Sequence, residues 1–218
     1  MVDRSISLAG KGALITGGAS GIGMATASLF RGLGADVVLA DINADGLAKA
    51  QKSVNALKIL IGDVSVEAEA EAIVSGAAGA LGKLDTVVNA AGIVDEVEFA
   101  IEREVGPWQR VMDVNFRGTY QICRAAARIM VPQKLGSIVN IASVNGPGGW
   151  PRRTAYGPSK AAVIALTREL ACEWGLHGVR INAVGPGYIK TPMVQGLIDE
   201  NKIDTNRLQE RTPLGQLG

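Results

Sequence analysis

One histidine, two cysteines and 4% aromatic residues stand in a chain of 218, and each scarcity closes off a chemistry. A lone His177 leaves little scope for histidine-rich metal ligation or a Ser-His-Asp constellation. Its place near the end of a helical pattern suits a capping role. Cys123 and Cys172 lie far apart in apolar helical patterns, with no Cys-x-x-Cys. Both are expected as buried free thiols rather than as a disulfide or a metal site, and no metal is expected. Charge is balanced as well: 22 Lys and Arg against 21 Asp and Glu, a net of +1. No basic block invites nucleic acid or an anionic membrane surface. No apolar run approaches the ~18 residues of a membrane span. The start, Met1-Val2-Asp3-Arg4-Ser5, lacks the apolar stretch of a secretory leader. A cytoplasmic, reducing setting follows as the expectation.

What is present is apolar and small. Apolar residues make up 47% of the chain, with 28 glycines, a composition that suits close packing of helices on a sheet. Residues 1–218 read as a single domain, without repeats, low-complexity tracts or linkers. Strands are expected at Gly12–Ile15, Asp36–Ala40, Lys58–Ile61, Asp85–Val88, Ser137–Ile141 and Arg180–Ala183. Helical patterns cover Gly21–Leu33, Ala44–Leu57, Glu67–Leu81, Pro107–Met130 and Tyr156–Leu176. Near-continuous apolar strands alternating with helices predict an α/β fold, a doubly wound parallel sheet of Rossmann type with six strands. Ligands of such sheets bind beyond the carboxyl ends of the strands, so those ends carry the functional reading.

The first strand ends in Thr16-Gly17-Gly18-Ala19-Ser20-Gly21-Ile22-Gly23. A strand, a glycine-rich turn and a helix start form an anion cradle. Gly17 permits the tight turn, Gly21 the approach of a pyrophosphate, and Gly23 the close packing of helix on strand. Free amides at the helix start, around Ser20 and Ile22, face the phosphates. The second strand ends in Asp41, about 20 residues past the glycines, where a carboxylate accepts hydrogen bonds from ribose hydroxyls and repels a 2′-phosphate. No Arg or Lys occupies positions 42 or 43. NAD is therefore favoured over NADP. At the third strand end, Asp63 either holds the adenine amino group or caps the next helix. At the fourth, Asn89-Ala90-Ala91-Gly92 lets a flat ligand approach, with Asn89 either binding it or bridging strands. Ser143 ends the fifth. Tyr156 and Lys160 follow on one helical face, four residues apart.

Taken in order and spacing, these motifs resemble a short-chain dehydrogenase/reductase of the single-domain type. The resemblance runs along essentially the whole chain: Thr16–Gly23, Asp63-Val64, Asn89–Gly92, Asn115 in Val114-Asn115-Phe116, Ser143, Tyr156–Lys160, Arg180-Ile181-Asn182 and Pro186-Gly187. It implies NAD(P)-dependent hydride transfer between an alcohol and a carbonyl, with Asn115, Ser143, Tyr156 and Lys160 as the catalytic tetrad. It matches Pro186, Gly187, Ile189 and Thr191 to contacts on the nicotinamide side. In this reading Tyr156 is the acid/base. Bringing a phenol from ~10 to near neutrality needs roughly 4 kcal/mol; an ammonium about 5 Å away supplies on the order of 3 kcal/mol at an effective dielectric near 20. Lys160 is thus expected to lower the Tyr156 pKa and to bond the nicotinamide ribose. The stretch Val194–Arg207, with Met193, Val194, Leu197 and Ile198 among charged residues, fits an amphipathic lid, and Trp150 either lines the same pocket or packs as an aromatic on its loop. A moderately apolar alcohol or ketone is the expected substrate; no charged group marks an anion. Relative to the family pattern the chain stops after Pro213-Leu214-Gly215, so a last helix and strand are expected to be absent. A homo-oligomer is expected if the C-terminus is complete. Two other readings stand beside this one. A 3-oxoacyl-carrier-protein reductase-like enzyme would use a basic patch such as Arg128, Arg152 and Arg153. A dinucleotide sensor without chemistry would not need Tyr156 and Lys160.

Overall fold

A computed structural model describes residues 6–218; the N-terminal stretch read above as lacking a leader lies outside the described residues. The elements follow in the order β1 (Gly12–Thr16), α1 (Gly21–Gly32), β2 (Asp36–Asp41), α2 (Ala44–Val54), β3 (Lys58–Ile61), α3 (Glu67–Leu81), β4 (Thr86–Asn89), α4 (Val105–Met112), α5 (Gly118–Gln133), β5 (Gly136–Ile141), α6 (Tyr156–Trp174), β6 (Val179–Val184), α7 (Pro192–Asp199) and α8 (Thr205–Glu210). All strands pair in parallel, in the order β3-β2-β1-β4-β5-β6. The sheet order reverses between β1 and β4, and that switch point is where such sheets hold ligands.

Alternation along the strands fills both faces. On β1, Leu14 points into one core with Val38, Val87 and Ile138, against Ile73 and Val74 of α3 and Ile122 and Met130 of α5. Its neighbours Ala13 and Ile15 point into the other, with Val37 and Leu39, against Ala27 of α1 and Leu47 and Ala50 of α2. All five residues of β1 are buried, as its central place requires. The outer strands β3 and β6 are buried on one side at most.

Two expected elements differ. The helix expected over Pro107–Met130 is interrupted by a π-helical turn, Asp113–Arg117. The extra residue of that turn rotates the Asn115 side chain into the protein, where it is fully buried. The lid expected as one amphipathic stretch is two short helices. α7 is capped by the Thr191 hydroxyl on the Val194 amide, and α8 by the Asp204 carboxylate on the Arg207 amide. Each cap starts a new helix and so breaks the run. Cys123 is buried as expected, but Cys172 is exposed, because α6 turns that position outward. No described helix is long and apolar enough to cross a membrane.

Candidate active site

The turn after β1 is built by what is missing. Gly17 adopts φ +66°, and a Cβ there would lie 2.6 Å from the Ala90 carbonyl carbon and the Ala91 amide nitrogen. A Cβ at Gly23 would run into the Gly17 carbonyl. Glycine at both lets the turn seat on the β4 end and the helix close on the turn. The first bond of α1 runs from the Met24 amide to the Ser20 carbonyl at 3.1 Å, and Ser20 makes no side-chain cap. The amides of Gly21, Ile22 and Gly23 therefore carry the positive end of α1 toward open space.

That space is a crevice of about 290 Å³ at the switch point. Gly17, Ser20, Gly21, Ile22, Gly23, Asp41, Asp63, Val64, Ala90, Gly92, Tyr156, Lys160 and Thr191 all line it. The Asp41 carboxylate is held by the Ala19 amide (3.1 Å) and the Asn43 amide (3.0 Å). Asp63 accepts from the Ser65 amide and hydroxyl and pairs with Arg110 at 2.8 Å. Burial alone would raise the Asp63 carboxyl, but the bonds from Ser65 and Arg110 outweigh it and hold it below its ordinary range. Arg110 itself lines the crevice; it lies in α4, far in sequence from Asp63, and no motif singled it out.

Three expected cofactor contacts line neither cavity. The Asn89 amide donates to Asn140 Oδ1 at 2.9 Å and to the Cys123 sulfur. It thus bridges β4 to β5 inside the core, one of the two roles open to it in the sequence. The Pro186 carbonyl accepts from the Val144 amide at 3.1 Å, and the Ile189 carbonyl from the Thr191 amide at 2.7 Å. Gly187 lines a second, smaller pocket beside the crevice.

The four expected catalytic residues converge around Gly92 and the wall between the two cavities. A Cβ on Gly92 would sit 3.2 Å from Asn115 Oδ1 and 3.5 Å from Lys160 Nζ. Asn115 grips the Ile93 backbone on both sides: Oδ1 accepts its N–H at 2.8 Å and Nδ2 donates to its carbonyl at 2.9 Å. Nδ2 also donates to Ser159 Oγ at 3.0 Å, so Asn115 ties the β4 exit to α6. Lys160 Nζ is buried and donates to the Ile141 carbonyl at 2.7 Å. No carboxylate among the described residues pairs with it, and burial brings its pKa down to about 8. Ser143 lines the smaller pocket, and Tyr156 lines both. The Ser143 hydroxyl acts on the Tyr156 phenol across the smaller pocket, while Lys160 Nζ lies 5.8 Å from the Tyr156 ring centre.

The electrostatics depart from expectation at one point. Burial raises the Tyr156 phenol; the polar Ser143 side chain and the charge of Arg153 pull it down without overcoming burial. The lowering expected from Lys160 does not bring the phenol below its ordinary value. The protein alone keeps the phenol protonated and places a cation of reduced pKa nearby. Trp150 is not a wall of either cavity; it meets Tyr188 edge-on at 6.1 Å and carries the Arg211 guanidinium on its face.

Known proteins share this design. The short chain dehydrogenase family model matches residues 11–202. A 2-dehydro-3-deoxy-L-rhamnonate dehydrogenase (NAD(+)) of Sphingomonas sp. (strain SKA58) is 37% identical over 210 residues, 96% of this chain and 83% of that protein. A 3-oxoacyl-[acyl-carrier-protein] reductase of Thermotoga maritima is 35% identical over 215 residues, 97% of this chain and 86% of that one. The crystal structure of an NAD+-bound xylitol dehydrogenase superposes with a TM-score of 0.90 at 30% identity, over 96% of this chain and 87% of that one. Sequence and fold agree, and the chain belongs to the short chain dehydrogenase family of oxidoreductases, which act on alcohol and carbonyl groups.

Proposed function

We propose that this chain is an NAD(H)-dependent oxidoreductase that interconverts a secondary alcohol and a ketone, with Tyr156 as the acid/base. The observation that carries this reading is the meeting of Tyr156 and Lys160 at the wall of a crevice that also holds the glycine turn, with Ser143 beside Tyr156 in the adjoining smaller pocket. The residues fit an extended dinucleotide. Diphosphate suits the amides of Gly21, Ile22 and Gly23, adenosine ribose suits Asp41, and a nicotinamide riboside suits the end walled by Tyr156 and Lys160. When bound, the nicotinamide supplies the two-electron acceptor or donor. Ser143 orients the substrate oxygen from the smaller pocket. Tyr156 takes the hydroxyl proton in oxidation and returns it in reduction, and Lys160 stabilises the phenolate that proton removal leaves. Asn115 fixes the Gly92–Ile93 corner against which both stand.

Asp41 supports NAD over NADP, because a 2′-phosphate would face a carboxylate already placed by two backbone amides. The carrier-protein reading draws less support. Arg128 is paired with Glu71 on the α3–α5 surface, Arg152 lies over the Phe99 ring, and Arg153 is tied to Asp95. These three do not form one patch. We further propose that residues 6–218 act as one cofactor-binding and catalytic unit and that the protein works as a homo-oligomer. A panel of secondary alcohols and ketones, followed at 340 nm with each cofactor, tests the reading. Turnover with NAD(H) exceeding that with NADP(H) supports it; no turnover with either overturns it.

A further inference from the structure

The smaller pocket holds a cation that no motif announced. It has a volume of about 60 Å³, and Arg153 forms part of its wall together with Ser143, Tyr156 and Tyr188. The Arg153 side chain is only 10% exposed. Its Nη1 donates to the Asp95 carbonyl at 2.6 Å and to Asp95 Oδ1 at 3.3 Å. Its Nε and Nη2 have no protein acceptor among the described residues, and neither is sealed off from solvent. Half of the guanidinium thus anchors the side chain, and the other half keeps free N–H groups on a residue that lines the pocket.

The surrounding charges leave that half uncompensated. Asp95, 1% exposed, is shared: Arg103 lies 3.6 Å from it, and the amides of Ala155 and Tyr156 also donate to it. Glu98 faces Arg103 at 3.7 Å, and Glu96, on the outside, is taken by Lys202. None of these carboxylates lines the pocket. On the far side, Arg211 adds a second cation near Tyr188, and both guanidiniums pull the Tyr188 phenol down against the burial that raises it. The rest of the wall includes Val94, Val144, Val194 and Leu197, which suits a short carbon skeleton.

We propose that the substrate is a small hydroxy acid or its oxo acid, with its carboxylate held by Arg153 while the reacting carbon faces Ser143 and Tyr156. This rests on the oxidoreductase reading and names the substrate class of that same site. The open Nε and Nη2 form a fork whose two parallel N–H groups match a carboxylate. The pocket's size favours a compact monoanion over a long acyl chain. Arg153 also sets register: holding one end of the substrate decides which carbon meets Tyr156.

The test uses the purified chain with NAD+ and a set of short hydroxy acids, the hydroxyl two, three or four carbons from the carboxylate, beside their primary amides. Acids should exceed amides in kcat/KM by about 10- to 100-fold, the range of a charge-assisted pair. In Arg153→Gln that preference should fall to near unity, and Arg153→Lys should restore part of it. Direct titration of acid and amide into the enzyme with NADH gives a second reading that needs no turnover. Amides oxidised as well as acids would overturn the carboxylate assignment while the redox reading stands. No turnover of any compound, with acids still bound more tightly than amides in an Arg153-dependent way, would overturn the redox reading and keep the carboxylate subsite. Equal binding of acid and amide would remove the subsite.

Discussion

The glycine floor of the crevice and the flap beside it, residues 186–218, are held in opposite ways. The floor hangs from β1, buried along its whole length, and from a backbone ladder to β2 and β4. The flap contains two helices without a single buried residue, and from residue 182 onward only Leu217 is buried. Its ties to the rest of the chain include a few surface contacts: Lys202 to Glu96, the Pro186 carbonyl to the Val144 amide at 3.1 Å, and Tyr188 and Arg211 to Trp150. The floor sits on apolar area and the flap on exposed polar contacts, an arrangement that lets one region open while the other stays fixed. Tyr156, at the boundary, belongs to the fixed side because α6 is anchored in the core.

The largest effect is expected at that boundary. Tyr156→Phe keeps the ring and loses only the hydroxyl, so turnover should fall about 10²–10⁴-fold while NADH binding, read by fluorescence titration, stays close to that of the parent. Residual activity above a tenth of the parent would remove Tyr156 from its role. Gly17→Ala strikes the floor itself. The added methyl meets backbone at 2.6 Å in a positive-φ position, and neither strand nor turn can yield. A loss of about 2–4 kcal/mol should appear in denaturant unfolding, with NADH affinity falling alongside. Unchanged stability would mean that the floor is softer than its burial implies.

A smaller effect, of opposite sign, is expected at Lys160. Its pKa is depressed to about 8 from 10.5, so the folded chain binds that proton less tightly than the unfolded chain does. Below pH 8 the buried ammonium costs stability on the order of 3 kcal/mol. As pH rises from about 8 to 10.5 the cost is relieved, so this group makes stability climb through that window. Lys160→Met removes the charge but strands the Ile141 carbonyl. The net at neutral pH should be a gain of about 1–2 kcal/mol, a rise in Tm of about 3–6 °C, in a protein that no longer turns over. A fall in Tm would show that Lys160 is paired in solution in a way the fixed side of the crevice does not predict.

The same contrast explains what the chain made readable. β1, the glycine turn and Asp41 lie within about 30 residues, and their pattern is local, so their placement followed from periodicity and turn chemistry. The six strands came out within a residue or so of their ends for the same reason. Arg110 and Arg153 were not legible, because their roles depend on Asp63 and Asp95, 47 and 58 residues away. The π turn at Asp113–Arg117 leaves the apolar spacing of its helix nearly intact, so nothing local marks it. The lid read as one helix because its apolar residues recur regularly. The caps at Thr191 and Asp204, which split it, act through single hydroxyl and carboxylate bonds. The raised phenol of Tyr156 escaped for a related reason: burial is a property of the assembled crevice, and a pairwise estimate from two residues leaves it out.

The smallest effect belongs to the flap. Gly196 sits within α7, and a Cβ there would meet nothing within 4 Å. Its φ is not positive, so alanine adopts the same backbone without strain. Gly196→Ala should stabilise the helix by about 0.5–1 kcal/mol, through propensity and a less flexible unfolded chain. That gain is local. Because α7 buries no residue, it opens without unfolding the sheet, and global Tm should hardly change. Hydrogen exchange of the α7 amides should slow instead, by about two- to fivefold. The two readings separate the cases. A rise in Tm without local protection would mean that the flap unfolds together with the floor, and the contrast between them would be lost. Slower exchange at constant Tm would place the flap as a separate, low-stability unit whose opening the glycine keeps easy.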